Sequence, residues 1–386
     1  MAYPSEKSII EIPLKIALSP EGVNLFLQSN RPLQKIQFAD MRDTFGLTVT
    51  GISTDTLKQL LSKNYITGIE ASDSDILSRR DDILTLNTLL FRRALQERFN
   101  AELKAKLLKS KLIYQWNRTN PQKAITENLS VSEAAIKKIF NNQGEELKKI
   151  QEYILTPVYY NIEKEIGSQV EEGETLKKLA AAFFRNQGPF NWYILAFIKD
   201  KEDRKFYTEI SSLINTYIKR SKIGDFLGTT LIELIMNAEN SNIYSFAIKK
   251  NIPGVKIDQI FQDQILRNKI LTSMSKAEQK LYVLWSFKEI ESRQGTATRF
   301  QITVYNREYK AQIVQDSIKE QSKLSEKSME QYLASASNNS LGSVDMTGFY
   351  LQSVKQECES LSIFFDSTVA QLARNDIAAI TLTLQF

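Results

Sequence analysis

A chain of 386 residues with only 14 glycines and 8 prolines has few places to turn. Tight turns draw on those two residues, Gly for its positive φ and Pro for its fixed one. Their scarcity argues for long helices and against collagen-like, propeller or many-turned sandwich architectures. The length predicts two or three domains, each with a core of its own. Apolar residues at 42% and charged residues at 25% describe an ordinary folded composition.

The chain contains no histidine. Histidine is the usual general base near neutral pH and the commonest metal ligand. Its absence removes Ser-His-Asp and Cys-His nucleophilic machinery, histidine metal sites and phosphohistidine. Cys358 is the single cysteine, so disulfides, thiolate zinc sites and iron–sulfur clusters within one chain are excluded as well.

The net charge is +5 and unevenly distributed. Between Arg92 and Arg118 eight basic residues stand against Glu97 and Glu102, a local excess larger than that of the whole chain. A phosphate-binding patch would look like this, but so does a solvated helix face. We read it as the latter and expect no nucleic-acid partner. The segment Met1–Lys7 is polar, without the apolar stretch of a signal peptide. The densest apolar run, Phe190–Ile198, is about half a membrane span in length. The expectation is a cytoplasmic protein with no membrane contact.

Along the chain, Ile9–Ile16 alternates like a strand, with Pro13 indicating a sheet edge. Leu47–Ile52 reads as a short strand and Thr54–Ser62 as a helix capped by Ser53 or Thr54. From Asp81 to about Trp116, Leu84, Phe91, Leu95, Phe99 and Leu103 form one helical stripe. Ser130 and Glu133 suggest a capping box, and Glu145–Ile166 reads as a helix interrupted at Pro157. Such a helical middle can pack on itself or form a homodimer. After the charged break at 199–205, helices are predicted over 203–220 and 226–240, strands over 281–291 and 299–305, a helix over 347–360, and closing strands over 361–366 and 377–384. A polar stretch at 315–345 interrupts them and reads as a lid or loop. The expected divisions are a small α/β segment at 1–75, a helical region at 76–203, and a C-terminal α/β domain at 204–386.

The sharpest local feature is Ile232-Glu233-Leu234-Ile235-Met236-Asn237-Ala238-Glu239-Asn240. Leu227, Leu231, Leu234, Ile235 and Ala238 make the buried side of a helix. Glu233 and Asn237, four apart, share another face. A carboxylate beside an amide suits a Mg-nucleotide site: the amide oxygen is a hard ligand for Mg²⁺, and the carboxylate can orient or deprotonate an attacking group.

This region resembles the GHKL ATPases: gyrase, heat-shock chaperone and mismatch-repair ATPases, histidine kinases and anti-sigma-factor serine kinases. Glu233–Ala238 is similar to the family's N box, which implies Glu233 as the catalytic base and Asn237 as the Mg²⁺ ligand. Thr347–Leu361 is similar to the Gly-rich second box and its helix, which implies Gly348 at the phosphates. Ile377–Phe386 resembles the closing strand. The resemblance spans residues 205–386 and implies a mixed sheet with helices on one face and Mg-ATP as the cofactor. Where the family has an adenine-binding Asp, this chain has Asn306, and Arg307, Glu308 and Tyr309 stand in place of the glycines expected beyond it. Of the Gly-rich box only Gly348 and Gly342 are present.

The fold class expected is therefore α/β, and the function a signalling or regulatory protein with a degenerate ATPase domain. ATP binding would be weak or lost, and the chain would act on an unidentified protein partner. The alternative is an active Mg-ATP-dependent kinase or ATPase phosphorylating a partner protein. A third reading is a structural dimer whose N-terminal half senses an input. Trp285 and Cys358 are expected in the core, and Tyr159 and Tyr160 against neighbouring helices.

Overall fold

The computed structural model describes residues 8–29, 33–40, 42–167, 169–198, 204–250, 263–276, 281–292, 295–306, 311–321, 347–372 and 377–386. The class is α/β. The described chain divides into two units, Ala94–Lys222 on one hand, and the described residues up to Arg93 with Ile223–Phe386 on the other. This differs from boundaries near 75 and 203: the N-terminal segment belongs with the C-terminal one.

The reason is a single antiparallel sheet. Its strands are β2 (Leu14–Leu18), β3 (Gln34–Gln37), β4 (Asp43–Val49), β6 (Ile66–Asp73), β7 (Leu281–Ser292), β8 (Gly295–Asn306), β9 (Phe364–Leu372) and β10 (Ile377–Gln385), in the order β3-β4-β2-β6-β7-β8-β10-β9. β6 and β7 join the two ends of the chain, in register from Gly68↔Ser286 to Asp73↔Leu281. Every pairing is antiparallel, so the sheet is not the mixed one expected. β1 (Ile9–Ile10) and β5 (Ile52–Ser53) form a separate two-stranded pair. β2 is an interior strand and not an edge, because Pro13 lies just before it and leaves its ladder intact.

Two short helices belong to this first part of the chain, α1 (Pro20–Gln28) and α2 (Thr54–Ser62), the latter capped by Ser53 as the sequence indicates. α3 (Arg80–Leu108) begins in this unit, and its Asn87 and Phe91 pack on the sheet. Trp285, fully buried on β7, donates its indole N–H to Asn87 Oδ1 at 3.3 Å. Asn87 Nδ2 donates to the Gly224 carbonyl at 3.2 Å, at the start of α9 (Ile223–Lys249). Phe91 meets Phe300 and Phe386 at 6.1 and 5.8 Å between ring centres. On the sheet's other face, Thr303 and Thr381 hydroxyls lie 3.1 Å apart and Gln301 donates to Thr383, while Phe38 and Ile36 cover Leu284, Tyr305 and Ala379.

The Ala94–Lys222 unit is helical: the rest of α3, α4 (Lys111–Thr119), α5 (Glu133–Ile166), α6 (Val170–Arg185), α7 (Pro189–Ile198) and α8 (Arg204–Ser221). The long helix expected to Trp116 breaks at Lys109, and Ser110 caps a new one by accepting from Ile113 N. α5 is capped by Ser132, two residues after Ser130. It passes through Pro157 unbroken, held by buried Ile154, Leu155, Val158 and Ile162 around the proline. Its one non-helical residue is Gln143. Phe99, Phe183 and Tyr217 form the aromatic centre, with Phe183 and Tyr217 at 4.6 Å. Tyr159 is half-buried here and Tyr160 is exposed, against the expectation that both pack.

Candidate functional site

α9 is the element around which the candidate residues gather. Its buried side is the one its spacing predicts: Leu227, Leu231, Leu234, Ile235 and Ala238 are all within 1% of full burial. Glu233 and Asn237 are half-buried on a different side, one helical turn apart. Two further helices complete the set, α11 (Ala311–Gln321) and α12 (Thr347–Ser360). α12 has the bounds expected from the sequence and packs on α9 and β9.

Asn237 Nδ2 donates to the Thr347 hydroxyl at 2.9 Å. Thr347 and Gly348, both buried, form the first turn of α12. Asn306, at the end of β8 and 2% exposed, donates its Nδ2 to the Ala238 carbonyl at 3.1 Å. Three segments far apart in sequence thus meet at one turn of α9, and Asn237, Asn306 and Gly348 lie together there. Glu233 lies one turn earlier on the same helix. Thr347 went unremarked as Asn237's partner, although it directly precedes Gly348.

The polarity of these contacts differs from what a nucleotide site asks. Adenine recognition would need an acceptor at 306, whereas the Asn306 amide turns its hydrogens into the helix. Asn237 spends an amide hydrogen on Thr347, a bond that does not use the oxygen the resemblance assigns to Mg²⁺. Among the described residues no group of three or more Asp, Glu or Cys is arranged to hold a metal ion. Gly342, Arg307–Tyr309 and the polar stretch from 322 to 346 lie outside the described residues.

A second polar centre lies on α9 and was missed from sequence. Glu239, 1% exposed, accepts from Leu77 N at 3.1 Å and pairs with Arg267 of α10 (Gln264–Lys276). Arg267 also donates to Asn240 Oδ1 at 3.1 Å. Burial drives the Glu239 carboxyl up to about 7, against the lowering pull of the Leu77 N–H and of Arg267. The legible signal was position: Glu239 continues the stripe of Leu231 and Ile235 at i+4. On β6, Glu70 is equally buried, paired with Lys15 at 2.9 Å and capped by Ala39 N, and burial raises its pKa too. Both are anchors between segments. Cys358 is fully buried inside α12, which pushes its thiol up to about 12.

The basic run from Arg92 to Arg118 falls on α3 and α4 as half-buried and exposed side chains. Lys104 reaches the Glu127 carbonyl and the face of Phe190. No helix among the described residues is long and apolar enough to cross a membrane. An uncharacterized protein of Treponema pallidum (strain Nichols) is 22% identical to this chain over 395 residues, covering 100% of both. No solved structure matches. A family model described as a family of unknown function, DUF8084, matches residues 5–386, and the chain belongs to that family.

Proposed function

We propose that this protein is a regulatory protein whose C-terminal region descends from a histidine kinase-like ATPase, has lost effective ATP binding, and acts through contact with a protein partner in the cytoplasm. Support comes first from the arrangement: the helix bearing Glu233 and Asn237, the β7–β8 hairpin ending at Asn306, α12 opening with Thr347-Gly348, and the β9–β10 hairpin share one layered unit. The observation that carries the reading is the use of the Asn306 amide. A buried donor bonded to a main-chain carbonyl is a structural tie, and an Asp could not make it.

Calorimetric titration of the full chain with Mg-ATP tests this. The expected result is no binding, or a dissociation constant above about 100 μM, equivalent to less than about 5.5 kcal/mol. Tight binding that disappears in Asn237→Ala would replace the proposal with the active-kinase alternative.

A further inference from the structure

The helical unit contains a cleft that none of the residues discussed so far explains. α5 leaves helical geometry at Gln143, with φ −136° and ψ 17°. The bend, together with the α6–α7 connection, bounds a cleft of about 550 Å³. That volume falls within the roughly 300–1,000 Å³ of small-molecule sites.

Ile136, Phe140, Leu147 and Trp192 give the cleft an apolar lining. The Phe140 and Trp192 rings meet edge to face at 4.9 Å, and Phe184 braces Trp192 at 5.2 Å. Gln187 lines the cleft as a buried amide with fixed orientation. Its Nε2 donates to the Phe183 carbonyl at 2.9 Å, and its Oε1 accepts from Asn191 at 2.8 Å. Asn191 Oδ1, beside Trp192 in sequence, is buried with no hydrogen-bond partner among the described residues. Aromatic walls braced by a buried amide pair cost little ordering on binding.

The charges at the cleft are Lys148, Glu145 and Arg185. Lys148 and Glu145 pair with each other at 2.8 Å. Arg185 makes no ion pair among the described residues. The cleft therefore offers an apolar aromatic body site beside one uncompensated guanidinium.

We propose that this cleft binds a small amphipathic anion, with a flat aromatic or short aliphatic body against Phe140 and Trp192 and a carboxylate or sulfonate head on Arg185. Guanidinium favours such heads because it can give two parallel charged hydrogen bonds. A cationic ligand would face Arg185 as a like charge, and a neutral one would leave its charge unused. The proposal stands independently of the fate of the ATP site, since every residue in it lies within Ala94–Lys222.

The test uses the full chain and two fluorescent probes with the same body. One is 1-anilinonaphthalene-8-sulfonate, and the other is N-phenyl-1-naphthylamine, which lacks the sulfonate. Saturable one-to-one binding of the sulfonate is expected, at least about tenfold tighter than the neutral probe, as one charged hydrogen bond implies. Arg185→Gln should erase that difference by weakening only the sulfonate. Gly144 also lines the cleft, and a Cβ built there meets no atom within 4 Å. Gly144→Leu should therefore fill the cleft and weaken both probes at least about tenfold while thermal unfolding followed by circular dichroism holds. No saturable binding of the sulfonate, a preference that survives Arg185→Gln, or unchanged affinity of both probes for a folded Gly144→Leu chain would each overturn the proposal.

Discussion

At Asn306 one atom's difference decides whether the position donates or accepts toward α9. The sequence identifies the position, at the end of a strand facing a helix that bears Glu233 and Asn237. It does not reveal which end of the amide faces that helix, because that depends on the carbonyl of Ala238 arriving from 68 residues away. Asn306→Asp would set a carboxylate oxygen against that carbonyl. Loss of the bond with a charge left buried should destabilise the fold by about 1–3 kcal/mol, read as a lower urea midpoint. It should not restore ATP binding. Cys358 carries a simpler expectation. Fully buried, with its thiol pushed up to about 12, it should resist a thiol-specific disulfide reagent in the native chain and react at once in denaturant. Rapid labelling of the native protein would mean that α12 opens readily. The burial of Cys358 and Trp285 was legible from their place in apolar patterns, whereas the partners of Asn306, Asn237 and Glu239 are long-range and left no local mark.

Helices in this chain are easier to read than the joints between them. Ser53 caps α2 where the sequence puts it, whereas α5 takes Ser132 and not the expected Ser130 as its cap. The break after α3 and the kink at Gln143 do not follow the obvious breaker, since Pro157 sits in an unbroken helix. A proline forfeits one hydrogen bond, and packing on four buried aliphatics can offset that. The contact between α3 and α9 is another joint that composition hides. A Cβ at Gly224 would lie 2.8 Å from Phe91 Cδ1, and one at Gly228 3.0 Å from Leu84 Cδ2. These two glycines, one turn apart, let the helices approach closely enough for Asn87 to reach the Gly224 carbonyl. Gly224→Ala should displace the Phe91 ring from Phe300 and Phe386 and cost about 1–3 kcal/mol of stability, as overpacking does. Gly173, whose Cβ would meet nothing, is the control: Gly173→Ala should be neutral or slightly stabilising. Equal effects at the two positions would count against close α3–α9 packing.

At the scale of the whole chain, the sheet is what sequence order obscured. Alternation and apolar runs locate β7, β8 and β10 near their observed places, yet β3 and β6 carry no strand expectation, and nothing local states that β6 pairs with β7 across more than two hundred residues. That pairing turns an expected N-terminal appendage into half of one unit. A fragment limited to residues 204–386 would leave the β7 edge unpaired and would lack Asn87 and Phe91 over Trp285 and Phe300. It should show no cooperative unfolding transition, and a sharp transition would restore the separate-domain reading. The same assembly encloses Glu239 between the Leu77 turn, α9 and α10, which ties its protonation to folding. Its native pKa, about 7 against an ordinary 4.5, means the folded state holds a proton that the unfolded chain has released. Stability from this group is therefore complete below about pH 4.5 and is lost as pH rises through 7. Glu70, raised in the same direction by burial, contributes with the same sign. Glu239→Gln removes the titration while keeping one acceptor oxygen, for either Leu77 N or Arg267. The stability difference, natural chain minus variant, should thus fall by up to about 3 kcal/mol between pH 5 and pH 8, the equivalent of a shift of that size. Urea unfolding of both proteins at the two pH values measures it. A difference that stays flat, or grows with pH, would mean that Arg267 holds Glu239 ionised throughout and that the buried pair is a permanent salt bridge.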